Sequence, residues 1–155
     1  MLFASISGTR KAFIGRSAMT QIDILYEGDL RTRCVHSDNQ IEVFTDAPKD
    51  NQGHGRFFSP TDLFAASLGS CMLTLMGIAA NRLNVDLKGM RAVVSKEMAA
   101  APARRIGKLT VEIFCPHQPS EDAVAKIVQM AQNCPVHKSL HPDIVLDIRY
   151  HWGRA

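Results

Sequence analysis

The sequence has few aromatic residues. Phe, Trp and Tyr together make up 6% of its 155 residues, with a single Trp and two Tyr. So few rings cannot supply the stacking platforms of a base-binding protein. Basic charge is also scarce where it would matter. The formal net charge is +3, yet residues 1–18 hold Arg10, Lys11 and Arg16 and no acid. Without that segment the chain is electrically balanced, so it offers phosphate backbones no attractive field. No nucleic-acid partner is expected. There is no Cys-x-x-Cys, no internal repeat and no low-complexity tract. In residues 1–18 the charge follows the apolar stretch, the reverse of a secretory signal. The segment is expected to be a leader or a disordered N-terminal arm, and residues 19–155 a single domain.

The hydrophobic fraction is 46% and the charged fraction 21%. That is ordinary for a globular chain, and it is enough to build a core without disulfide staples. The four cysteines, Cys34, Cys71, Cys115 and Cys134, therefore do not require an oxidising compartment, and a cytoplasmic location is expected. Leu63 to Asn81 carries no charged residue and approaches the length of a bilayer span. Ser67, Gly69, Ser70, Thr74 and Gly77 interrupt it, and it lacks flanking basic clusters. A buried helix, not a membrane span, is expected.

Hydrophobic periodicity predicts strands at Gln21–Tyr26, Arg31–Val35 and Ile41–Thr45, then a loop over 47–58. Ser59-Pro60-Thr61-Asp62 has the order of an N-cap, an N1 proline and a capping-box acid, so a helix is expected from Pro60 to about Leu83. That helix is apolar almost all round and needs cover from other helices or from a second subunit. Strands follow at Leu87–Glu97 and Lys108–Cys115, with a link over Met98–Arg105. Helices are predicted at Glu121–Ala131, capped by Ser120, and at Val136–Leu140. In the first of these, Val124, Ile127, Val128 and Ala131 should face inward. A last strand is predicted at Ile144–Tyr150. Strands cluster instead of alternating with helices, which points to an α+β fold.

Thiolates carry cysteine chemistry, so context matters more than count. Cys71 lies in mid-helix after Ala65-Ala66-Ser67-Leu68-Gly69-Ser70, small neighbours that let a substrate or another backbone approach its sulfur. It reads equally as a small buried hydrophobe. Cys134 precedes Pro135, an N-cap setting whose free N–H groups favour a thiolate. Cys115 lies on the apolar face of a strand and reads as core, and Cys34 reads as structural. Cys134-x-x-His137-x-x-x-His141 has ligand-like spacing, but Pro142 ends that helix and no fourth ligand is near. No metal is expected. A Cys–His acyl-transfer pair using His54 or His137 is conceivable, but no oxyanion-hole signature accompanies it.

The run Ser59-Pro60-Thr61-Asp62-Leu63-Phe64-Ala65-Ala66-Ser67-Leu68-Gly69-Ser70-Cys71, with Asn133-Cys134-Pro135-Val136-His137 farther on, resembles the OsmC/Ohr family. These are the osmotically inducible protein C and organic hydroperoxide resistance proteins. The resemblance spans about residues 20–152. It implies an α+β fold in an intertwined homodimer, with two long central helices wrapped by β-sheets. It also implies a thiol peroxidase with no bound cofactor, acting on small organic hydroperoxides and recycled by a dithiol reductant. Cys71 would attack the peroxide, and Cys134 would resolve the sulfenic acid as a disulfide. An arginine from the N-terminal strands, Arg31 or Arg33, would hold the thiolate. This chain departs from the peroxidase pattern at Thr61, where such members carry Glu, and one alignment sets Leu30 at the arginine position. These departures place it nearer the diverse OsmC-like branch. There, a protein with weak or no peroxidase activity that binds a small apolar ligand at the dimer interface is the alternative.

Overall fold

The alternation of Ile22, Ile24 and Tyr26 produces strand β1 (Ile22–Gly28). The chain reverses through Asp29 and Leu30, whose φ angles of 49° and 58° are left-handed. It returns as β2 (Arg31–His36), antiparallel to β1, with Ile24 opposite Cys34. β3 (Glu42–Asp46) completes a sheet of order β1-β2-β3. The structure, a computed structural model, describes residues 19–154. The proposed leader lies outside the described residues. Two compact units divide between Phe44 and Thr45.

In the second unit, a clasp closes the 47–58 loop. The buried Asp46 carboxylate accepts from the Arg56 backbone N–H and from its Nε, each at 3.0 Å. The Asp46 N–H donates to the Phe58 carbonyl at 3.2 Å. This delivers the chain to Ser59, the N-cap of α1 (Pro60–Leu83). The helix ends at Asn84, which adopts a left-handed conformation (φ 53°) and donates its N–H back to Ala80 and Asn81. The strand expected from Leu87 starts later, as β4 (Arg91–Ala99). The reason is local: Asp86 accepts from the Lys88 N–H at 2.7 Å, and Gly89 has a φ of 86°, so residues 85–90 form a turn. The predicted link over Met98–Arg105 is shorter than expected. β4 pairs as far as Ala99, past a bulge at Glu97/Met98, and β5 (Arg105–Cys115) already begins at Arg105.

β5 is the central strand of the second sheet, order β4-β5-β6, antiparallel to β4 and parallel to β6 (Val145–Trp152). A parallel neighbour requires a crossover. Here α2 (Glu121–Gln132) and the short α3 (Pro135–Lys138) supply it. Leu109, Val111, Ile113 and Cys115 are buried on one face of β5, as the alternation predicts, in one core with Leu68, Met72 and Met76 of α1 and Ile127 of α2. Each such side chain contributes about 1.5–3 kcal/mol of burial free energy. The buried positions of α2 are Ala123, Ile127 and Ala131, with Val124 and Val128 at the edges. The inward stripe is thus rotated by one residue from the predicted one. The fold is α+β.

The buried positions of α1 follow helical spacing: Ala65, Leu68, Gly69, Met72, Met76, Ala79 and Ala80. Gly69 is required there, because a Cβ would sit 2.7 Å from Val94 Cγ2 on β4. On the other flank Phe64 and Ile78 are 39% and 40% exposed among the described residues. α1 is long and apolar enough to cross a bilayer, but its buried face is core.

Candidate active site

Cys71 sits in the middle of α1 and is half-buried, packed at the margin of the core. Cys134 is fully buried at the joint between α2 and α3. Its N–H donates to the Ala131 carbonyl at 3.1 Å, its carbonyl accepts from the Lys138 N–H at 3.0 Å, and its Sγ accepts from the His137 N–H at 3.4 Å. Both ends of the residue and its sulfur are therefore fixed by backbone bonds. The packing of α1 against α2 and α3 sets Cys71 near enough to Cys134 to act on its thiol. All four cysteines are free thiols. One sulfur of the pair is accessible and the other is shielded.

The sequence reading expected the cap position to favour a thiolate at Cys134. The structure reverses that expectation. Burial pushes the Cys134 thiol up from its ordinary value, and the hydrogen bond with Cys71 raises it further, against the smaller opposing effect of the His137 N–H. Desolvation outweighs the few N–H groups of a one-turn helix. Cys115 is also raised, chiefly by burial, and is a core residue as predicted. Cys34 is half-buried on β2.

The start of α1 carries a polar network. Ser59 and Asp62 form a full capping box. Asp62 N–H donates to Ser59 Oγ at 3.1 Å, while Ser59 N and Oγ each donate to Asp62 Oδ2 at 2.7 Å. Lys96 of β4 adds an ammonium, 2.9 Å from Asp62 Oδ1 and 3.0 Å from Thr61 Oγ1. Partial burial of Asp62 opposes its ionisation, but the hydrogen bonds from Lys96 and Ser59 outweigh it and hold the carboxyl below its ordinary value. Asp62 is thus the cap, as expected. Thr61, at the position of the family's Glu, accepts from Lys96. Lys96 was missed in the sequence. Its signal was the alternation of β4, which places it on the same side as Ala92 and Val94, a lone charge on the inner face.

Arg31 and Arg33 lie on β2 in the first unit. The Arg33 guanidinium is shared between Glu42 Oε1 at 2.8 Å and Glu27 Oε1 at 3.3 Å. The hydrogen bond to Glu42 leads the effects that raise its pKa. The ligand-like spacing of Cys134, His137 and His141 does not converge. His141 Nδ1 accepts from the Asp143 N–H at 3.2 Å, and Cys134 faces Cys71. Among the described residues no group of three His, Cys, Asp or Glu side chains is arranged to hold a metal. A cavity of about 910 Å³ runs between α1 and β4, lined by Phe57, Phe58, Ala66, Ser70, Val94 and Lys96, among others. Neither cysteine lines it, because Cys71 points from a different side of α1.

Residues 53–149 match the model of the family described as OsmC-like protein. A solved structure from Psychrobacter arcticus 273-4, described as an osmotic stress induced and detoxification response protein, is 43% identical. The alignment covers 89% of this chain and all of that one, with a TM-score of 0.81. An organic hydroperoxide resistance protein OsmC from Legionella pneumophila has 16% identity and a TM-score of 0.71, over 88% of this chain and 99% of its own. An OsmC-like protein from Mycoplasma pneumoniae has 15% identity and a TM-score of 0.74, over the same shares. These last two show the fold alone. No curated protein sequence gives a match. With the family model covering well over half of the sequence, and with the two cysteine motifs meeting in the fold, the chain belongs to the OsmC-like protein family.

Proposed function

We propose that the protein is a cysteine-based peroxidase that reduces organic hydroperoxides. The observation that carries this reading is that the fold sets Cys71 and Cys134, far apart in sequence, near enough for one thiol to act on the other. Exposure divides the roles. Half-buried Cys71 is reachable by a peroxide, whereas Cys134 is fully buried. The Cys71 thiolate attacks the outer peroxide oxygen. An S–O bond forms, the O–O bond breaks, and the alkoxide leaves as an alcohol after protonation. Cys134 then attacks the sulfenic sulfur, so that an S–S bond forms and water leaves. A dithiol reductant returns both thiols. The name of the Legionella relative and the apolar surroundings of Cys71 support an organic hydroperoxide as the substrate. Arg31 or Arg33 of β2 would hold the thiolate, as the resemblance to the peroxidase members implies. The flank of α1 on which Phe64 and Ile78 are exposed supports a homodimer. A cytoplasmic setting suits a site that must be reduced after each cycle.

A second reading is a ligand-binding protein with weak or no peroxidase activity. Two observations favour it: Thr61 engaged by Lys96 and the cavity along α1. One experiment separates the two. Reduced protein is treated with one equivalent of cumene hydroperoxide and mapped by mass spectrometry. The peroxidase reading expects a Cys71–Cys134 disulfide, its loss in Cys71→Ser, and a trappable sulfenate at Cys71 in Cys134→Ser. Unchanged thiols with retained binding of an apolar probe would favour the second reading.

A further inference from the structure

We propose that His137 accepts the proton of Cys134 as the disulfide closes. The inference rests on the peroxidase reading and deepens it. Closure requires Cys134 to become a nucleophile, yet its surroundings hold it as a thiol. A base must therefore stand beside a sulfur that water does not reach. The His137 backbone is tied to that sulfur, through the N–H to Sγ bond of 3.4 Å. The His137 ring nitrogen Nδ1 is buried and has no hydrogen-bond partner among the described residues. A buried imidazole nitrogen left unpaired is unfavourable unless it has a use, and buried polar atoms without partners concentrate at working sites. Base and thiol belong to the same short helix, His137 three residues after the Cys134 cap.

Other ionisable groups nearby are accounted for. On α1, which packs against α3, Asp62 is bound by Lys96, Arg82 is exposed, and Cys71 is the reaction partner. On α2, Lys126 is paired with Asp122, Glu121 is exposed at the helix start, and the last turn carries no charge. On α3, Lys138 is exposed. The step balances. The Cys134 proton passes to the His137 ring, Cys134 Sγ bonds to Cys71 Sγ, and the S–O bond breaks. The departing hydroxide takes the proton back from the imidazolium and leaves as water. His137 ends neutral.

The test follows the two half-steps separately after mixing with cumene hydroperoxide. Dimedone trapping reports sulfenate at Cys71, and quenched mass spectrometry reports the disulfide. In His137→Asn and His137→Gln, closure should slow at least tenfold, with sulfenate formation unchanged. The pH profile of closure should differ between the wild type and both variants. Wild-type sulfenate that closes at the same rate and with the same pH profile in both variants overturns the proposal. Failure of the wild type to form any sulfenate overturns the peroxidase reading itself. Should neither variant fold, the wild type decides: closure that slows in deuterated water supports a proton transfer in that step, and an equal rate in ordinary and deuterated water refutes the role.

Discussion

Oxidising Cys71 and Cys134 to a disulfide should stabilise the protein strongly, because the bond would close a long loop. Sixty-three residues of sequence separate the two cysteines. Tying such a loop removes enough unfolded-state entropy to add about 4 kcal/mol at 25 °C. Strain in the folded state would subtract from this. The structure argues that the subtraction is small. Cys71 is held in the middle of a 24-residue helix, Cys134 is pinned by backbone bonds on both sides, and the two lie near enough for Cys71 to act on the Cys134 thiol. In a chain of this length, 4 kcal/mol corresponds to a rise of about 8–16 °C in Tm. The assay is thermal unfolding by circular dichroism at one fixed protein concentration, which removes the effect of any subunit association. Reduced protein, protein oxidised with one equivalent of cumene hydroperoxide, and identically treated Cys134→Ser are compared. The oxidised wild type should melt well above the other two. If the disulfide is mapped in the sample but Tm rises by less than about 2 °C, or falls, then closure distorts the helix pair. The claim that the fold presets the two sulfurs would then be wrong.

Two further outcomes test the supports of the site. Ser59→Ala removes the capping hydroxyl of α1 and should cost about 1 kcal/mol at pH 7 in urea unfolding. Asp62 has a lowered folded-state pKa, so its contribution is present above the unfolded carboxylate value near 4 and is lost as pH falls through the folded one. The Ser59→Ala deficit should accordingly shrink below pH 4, and a deficit that grows there would contradict the assignment of Asp62. Tyr150 has a buried hydroxyl without a hydrogen-bond partner, and burial raises its pKa. Tyr150→Phe removes an unsatisfied group of nearly the same shape and should be neutral or stabilising by up to about 1 kcal/mol. A loss above 1 kcal/mol would mean that the hydroxyl is bonded after all.

Local chemistry made much of the fold legible. The Ser59-Pro60-Thr61-Asp62 cap forms as the order of its residues requires, since all its partners lie within one turn. The alternation of Leu109, Val111, Ile113 and Cys115 marks the buried face of β5 for the same reason. The boundaries that moved, at Leu87 and Met98, are places where a turn or a bulge overrides apolar pattern. Lys96 went unnoticed because its partners, Asp62 and Thr61, lie more than thirty residues away in sequence.

The residue types and their spacing determined the long apolar helix, the α+β order and the candidacy of Cys71 and Cys134, because each depends on neighbours along the chain. Only the tertiary structure decided which cysteine is shielded and that the two lie near each other. It also showed that burial, not the helix end, governs Cys134. Those outcomes depend on how α1 packs against α2 and α3, and desolvation is a property of that packing which no stretch of sequence carries by itself.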